Sequence, residues 1–350
     1  MDPNANKYLL SNKLSPQDAK KKLERETFKR TTLSFYKYVK LKDINYYRDY
    51  LYKEWDKLKI LGRVYIATEG INAQISIPNY NIEKFKEQLY NDRYLKNISL
   101  KEAVEEKEFS FLKLIIKIKK RIVADGLTEI DFDSSNVGNH LNADQWNEAI
   151  DKGAVIVDMR NHYESEIGHF KNAILPQSET FKQELPMVKQ LLSENKNDKI
   201  LLYCTGGIRC EKASAYLKHN GFRDVNQLHG GIINYKRQLM ENPKLENKFI
   251  GKNFVFDERL SEKISEEVIS FCHQCGSKCD THINCKNMSC NLLFIQCEKC
   301  KEKKESTKEL DIEELPVVLV VAAVTAAVVV YLSPTIAVSV CPRLIKDTVA

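Results

Sequence analysis

What the chain lacks is most telling near its two ends. The opening "MDPNANKYLLSNKLSPQDAKKKLERE" has no apolar core segment and does not read as a secretory signal. The ten cysteines of the 350-residue sequence are therefore expected in a reducing cytoplasm, as catalytic or metal-binding thiols rather than disulfides. No internal repeat recurs apart from paired Cys-x-x-Cys units, and no nucleotide-cofactor motif is evident. Charge is absent from Leu315 to Pro342, where "VVLVVAAVTAAVVVYL" is almost wholly apolar. The run to Val340 is long enough to span a bilayer, so membrane association stays open through this tail alone. Its density of valine and the interruption at Pro334 weigh against a tail anchor.

What is present is an ordinary globular composition, 43% apolar and 29% charged, with length for two or three domains. The net charge of +6 is uneven: residues 1–130 hold 27 Lys+Arg against 18 Asp+Glu, and the remainder is slightly acidic. Such a front portion attracts a polyanion, or is simply a lysine-rich solvated surface.

Residues 1–30 read as a charged leader. From 31 to 125 the order is strand ("TTLSFYKYVKL"), helix ("DINYYRDYLYKEWDKLKI"), strand–turn–strand ("RVYIATEGINAQISI"), helix ("NIEKFKEQLYND") and strand ("FLKLIIKIKKRIV"). This β-α-β-β-α-β order predicts a ferredoxin-like α+β domain. After the polar linker "ADGLTEIDFDSSNVGNH", residues 138–240 alternate helices with the apolar runs in "AVIVDMR" and "KILLYC", predicting an α/β domain on a parallel sheet. A small Cys-rich domain is expected over 241–305, and 306–350 are a linker and the apolar tail.

The chemistry concentrates in "LLYCTGGIRCEKASAYL". Cys204 ends a buried strand just before a helix, where open parallel sheets bind ligands. Thr205, Gly206, Gly207 and Ile208 can wrap an anion cradle of backbone N–H groups, the helix adds its N-terminal partial charge, and Arg209 adds a full one. All three favour a nucleophilic thiolate at Cys204. Four residues separate Cys204 from Arg209, one fewer than in cysteine phosphatases, and a tighter cradle suits a persulfide sulfur. Cys210 reads either as a resolving thiol for Cys204 or as a small packing residue.

Cys272-x2-Cys275 and Cys297-x2-Cys300 form two knuckles with the spacing of a four-cysteine zinc ribbon. Cys279, Cys285 and Cys290, with His273 and His282, are further candidate ligands, enough for a second ion. The alternative is a reduced, metal-free cluster.

The segments "IVDMRNHYESEIGHFKNAI", "LLYCTGGIRC" and "GFRDVNQLHGGIINY" resemble a rhodanese domain. The match falls on Asp158, Arg160, Glu164, Gly168-His169, the Cys204 loop and Gly230-Gly231. With "ATEGINAQIS", "RIVADGL" and "CHQCGSKCDTHINC", the chain over roughly 30–305 resembles the tRNA uridine hydroxylase family. The resemblance implies oxygen-dependent formation of 5-hydroxyuridine at the wobble uridine, position 34, of tRNA, with Cys204 as the active-site cysteine. Asp158 and Arg160 are expected to brace the loop, and Arg209 to act as a charge or salt-bridge partner. A persulfide sulfurtransferase is the alternative activity. With tRNA as substrate, phosphate contacts are expected at Lys113, Lys117, Lys119, Lys120 and Arg121 and among the leader's basic residues. Tyr46, Tyr47, Tyr50 and Tyr52 are either base-stacking or core residues.

Overall fold

Alternating polarity builds the first sheet. The computed structural model describes residues 10–105, 109–127, 133, 135–285 and 292–305. A short helix, α1 (Pro16–Glu24), lies in what reads as the leader, N-capped by Ser15. The first domain then runs β1 (Arg30–Tyr38), α2 (Ile44–Lys57), β2 (Leu61–Ala67), β3 (Gly70–Pro78), α3 (Ile82–Asn91), β4 (Lys101–Glu102) and β5 (Leu114–Ile118), with sheet order β4-β1-β3-β2-β5. Leu33, Phe35, Val64, Ile66, Ala73 and Ile75 bury one face against Trp55 of α2 and Phe85 of α3. Because side chains alternate along a strand, Thr32, Ser34, Tyr36, Arg63, Tyr65, Asn72 and Gln74 take the opposite, polar face.

The α+β class is as expected, but the closing strand is not where the sequence order puts it. The position beside β1 belongs to the two-residue β4, with Ser34 opposite Lys101. The run ending in "IIKIKK" forms β5 on the far edge, parallel to β2, where Leu114 and Ile116 reach the core. Strand propensity is local, whereas the choice of edge is made by tertiary packing.

The second domain comprises β6 (Asn139–Leu141), α4 (Ala143–Asp151), β7 (Val155–Asp158), α5 (His162–Ser165), β8 (Gly168–Phe170), α6 (Phe181–Leu191), β9 (Lys199–Tyr203), α7 (Ile208–His219), β10 (Asp224–Leu228) and α8 (Gly231–Glu241). A capping box of Asn142 and Gln145 starts α4. Strands β6-β10-β9-β7 form an all-parallel sheet. Its apolar runs are buried on both faces: Ile200 and Leu202 pack with α6 and α7, Leu201 and Tyr203 with α4 and α8.

The remaining elements are β11 (Phe249–Phe254), β12 (Ser261–Lys263), β13 (His282–Asn284), β14 (Leu293–Ile295) and α9 (Glu298–Glu305). Antiparallel pairing of β11 with β8 stitches this segment to the parallel-sheet domain. Cys290 and residues 306–350, with the apolar tail, lie outside the described residues. Among the described residues, no helix is long and apolar enough to cross a membrane.

Candidate active site

Cys204 follows β9 directly and is shielded from bulk solvent. Gly207 N-caps α7 with φ +97, a left-handed conformation natural to glycine, and its N–H donates to Cys204 Sγ at 3.1 Å. The N–H groups of Arg209 and Cys210 and the Cys210 thiol also donate to Sγ. The loop is held from the other side by α8: Ile232 N–H donates to Cys204 O at 3.1 Å and Ile233 N–H to Thr205 O at 3.2 Å. Gly231, at φ +68, makes that approach possible, because a Cβ there would stand 2.5 Å from Cys204 O and 2.6 Å from Thr205 O.

The electrostatics follow from this geometry. Burial opposes ionisation of Cys204, but the Cys210 thiol, the Arg209 charge and the two N–H groups outweigh it and bring its pKa down to about 6. Burial, then the Cys204 sulfur, push Cys210 the other way, well above the ordinary thiol range. The two cysteines thus form one acid–base pair, with Cys204 the thiolate and Cys210 its donor. Of the four cradle residues named from the sequence, Gly207 supplies a donor to sulfur. The others come from the first turn of α7 instead of from Thr205, Gly206 or Ile208, because the left-handed turn at Gly207 aims the first helical N–H groups at Cys204. The Thr205 hydroxyl donates to Phe254 O at 3.4 Å, and Ile208 O accepts from Tyr38.

Arg209 is forked onto Glu164, at 2.6 and 2.8 Å, so it is both a charge near sulfur and a salt-bridge partner. Asp158 and Arg160 do not brace the loop directly. Arg160 bonds Asp158 at 2.8 and 2.6 Å, Gly168 O at 2.6 Å and Asn253 at 3.4 Å, while Asp158 accepts from Tyr203 at 2.7 Å. This fully buried group fastens β7, β8, β9 and β11 together, and Glu164 is the direct brace.

A cavity of about 260 Å³ lies over Cys204, between the loop, the polar face of the first sheet and the segment around β11 and β12. Its wall on the first-domain side is Thr32, Ser34, Tyr36, Arg63, Asn72 and Gln74, with Lys101 at the β4 edge. Two side chains of α7 clamp the domains around it. Glu211 accepts from Tyr36 at 2.9 Å, and Lys212 pairs with Glu69 at 2.8 Å and with Asp125 at 3.5 Å; Arg121, within the first domain, pairs with the same Glu69 at 3.0 Å. The motifs "ATEGINAQIS" and "RIVADGL" thus meet α7 at one junction.

Sequence reasoning missed this wall. The signal was available: in "TTLSFYKY" and "INAQISI" every second residue on one face is polar. The tyrosines singled out instead lie on α2, on the other side of the sheet, where Tyr47 and Tyr52 are core residues and Tyr46 and Tyr50 are exposed. Lys113 donates to Leu14 O, and Lys119 sits over the Tyr65 ring.

The four sulfurs of Cys272, Cys275, Cys297 and Cys300 lie within 4.8 Å of one another. A tetrahedral zinc with bonds near 2.3 Å needs sulfurs about 3.8 Å apart; those of Cys275 and Cys297 are 3.6 Å apart. The donor set fits a metal ion. Cys279 instead packs against the cluster of Ile167, Phe254 and Ile295, and the Cys285 N–H donates to Leu292 O. His273 leaves the knuckle to pair with Glu166 at 2.7 Å.

A parallel sheet whose central strand delivers a thiolate into an N–H cradle closed by an Arg–Glu fork defines a rhodanese-type domain. Family models agree: a rhodanese-like domain matches residues 142–238, a UPF0176 acylphosphatase like domain 30–122, and a "Rhodanase C-terminal" region 250–310. A Leptospira interrogans protein named tRNA uridine(34) hydroxylase is 57% identical over 85% of this chain and 81% of its own length. One of the same name from Escherichia fergusonii is 53% identical over 84% and 85%. Among solved structures, a rhodanese-like domain from Anabaena covers 33% of this chain and 80% of its own at 19% identity, with TM-score 0.26. The chain belongs to the tRNA uridine(34) hydroxylase family.

Proposed function

We propose that this chain hydroxylates C5 of the wobble uridine of tRNA, with molecular oxygen as co-substrate and Cys204 as the reactive group, in the cytoplasm. One observation carries the reading. A thiolate with a pKa of about 6 forms the floor of a 260 Å³ cavity, far more room than one sulfur atom needs and close to the lower end of small-ligand sites, about 300 Å³. A single base turned out of the anticodon loop suits that space, since an unpaired nucleotide costs little to extrude.

Attack of the thiolate on C6 of the uracil forms an S–C6 bond and moves the C5–C6 π pair onto C5 and O4. C5 is then the electron-rich partner for a peroxide formed from molecular oxygen by an external two-electron donor: the C5–O bond forms as the O–O bond breaks, and the second oxygen leaves as water. Loss of the C5 proton afterwards restores the double bond and releases the thiolate. Thr205, Gly206, Gly207 and Ile208 form the loop that presents the sulfur. Cys210 keeps it ionised and is the thiol that would resolve an oxidised or persulfidated Cys204 once deprotonated. Cys272, Cys275, Cys297 and Cys300 hold a structural zinc, whose binding energy supports folding of the C-terminal segment.

Mass analysis of tRNA nucleosides from cells lacking the protein tests the reading. Re-expression of the intact chain restores 5-hydroxyuridine derivatives, and Cys204→Ser restores none. Loss of thiolated nucleosides instead of hydroxylated ones would favour the persulfide sulfurtransferase.

A further inference from the structure

Four cations line the cavity over Cys204: Arg63, Lys101, Arg209 and Arg259. Arg209 is neutralised by Glu164, and Arg259 by Asp257 and Glu262. Among the described residues, Arg63 reaches the Phe256 carbonyl, at 3.4 Å, near the surface. Lys101 is different. The residue is 8% exposed, and its ammonium sits 4.5 Å from the centre of the Tyr36 ring. Its stem passes beside Gly230, where an added Cβ would stand 3.1 Å from Lys101 Cε. Among the described residues, its ammonium has no carboxylate partner and no hydrogen-bond acceptor. A buried, unpaired ammonium is costly to retain, and an apolar side chain would serve packing better. Such a donor is free for a ligand.

We propose that Lys101, reaching in from the edge of the first domain, is a catalytic residue: its ammonium donates to a carbonyl oxygen of the pyrimidine and holds the negative charge that forms there when Cys204 adds to the ring. The inference rests on the functional reading above and deepens it. The S–C6 bond forms with the sulfur's electron pair, the π pair moves to C5 and O4, and Lys101 meets that charge without giving up its proton. The Tyr36 ring covers one side of the ammonium, and both residues line the cavity. Glu211, Cys204 and His229 are the titratable groups whose fields reach it, and the paired Arg209 and Arg259 lie across the cavity. Burial lowers the pKa of Lys101 to about 8, so the charge is present at neutral pH and lost above it.

The test needs no oxidant. Reversible addition at C6 makes the C5 hydrogen of the target uridine exchange with solvent. The full-length chain is incubated anaerobically with tRNA in deuterated buffer, and uridine 34 is weighed after digestion. Lys101→Met is expected to slow exchange about 100-fold or more, with tRNA affinity kept within about twofold and thermal stability equal or higher. Lys101→Arg keeps the charge and is expected to exchange, with its alkaline fall displaced above the wild-type limb near pH 8. It reports even if the methionine variant does not fold. Exchange by Lys101→Met within about threefold of wild type, a parallel loss of tRNA affinity, or an unmoved alkaline limb in Lys101→Arg overturns the assignment while hydroxylation by wild type stands. Wild-type protein that hydroxylates without exchanging overturns the ring-addition step and Lys101's role together; wild type that forms no 5-hydroxyuridine overturns the functional reading itself.

Discussion

Arg209 and Cys204 face each other across a tight loop, yet the guanidinium is shared with Glu164, which is wholly buried. Glu164 therefore restrains how far the arginine acidifies the thiol. Glu164→Gln is expected to move the Cys204 pKa further below about 6, read by thiolate absorbance against pH. The same substitution leaves a buried guanidinium without its counter-charge and should cost about 3–5 kcal/mol in chemical denaturation. In the unaltered chain the thiolate fraction, and activity with it, should rise through pH 6 and be nearly complete by neutrality. An ordinary thiol would still be ionising above pH 8. Residues of this kind were legible because their spacing is local. Cys204, Gly207 and Arg209 declare themselves within six positions. Glu164 matched a family pattern, but its role did not appear until the fold brought α5 to α7.

Between elements, the contact that fixes the loop is α8 against the turn after β9. Gly231→Ala meets two obstacles, a positive φ and a Cβ 2.5 Å from Cys204 O. It should destabilise by about 2 kcal/mol or more and lower activity further than the stability loss explains. Comparing melting temperature with turnover at a temperature where the variant stays folded checks this. The knuckles are a second inter-element joint, since His273 between their cysteines reaches Glu166, the C-cap of α5. Purified protein should carry about one zinc per chain, and a chelator should lower its melting temperature. Under about half an equivalent, with no effect of the chelator, would remove the metal from the account. Helices and strands were largely readable from periodicity, because each periodicity is a property of a single segment. Which edge β5 takes, and what the polar face of the first sheet looks at, were not. An alternating strand records that one face is polar, without saying whether water or a neighbouring domain covers it.

At the scale of the molecule, the chamber over Cys204 belongs to neither domain. Lys212 is 3% exposed and holds Glu69 of the β2–β3 turn and Asp125 of the linker at once. Lys212→Ala should leave each domain's own core intact but loosen the clamp, at a cost of about 3 kcal/mol. The expected signs are faster proteolysis between the domains and a fall in activity with the Cys204 pKa little changed. Equal protease resistance would show that the remaining contacts, Tyr36–Glu211 and Tyr38–Ile208 among them, suffice. The excess of positive charge in residues 1–130 falls largely on the domain that forms one wall of the chamber.

The chamber also has a direction in time. Domains fold in the order in which they leave the ribosome, N-terminal first. The sheet that walls the cavity is therefore complete before the ribosome releases the strand carrying Cys204. The sulfur is activated by groups that follow it, Gly207, Arg209 and Cys210, and is pinned later still by α8. The Cys204 loop is thus made between two of its walls, after the first sheet that faces it and before the segment around β11 and β12 that completes the enclosure.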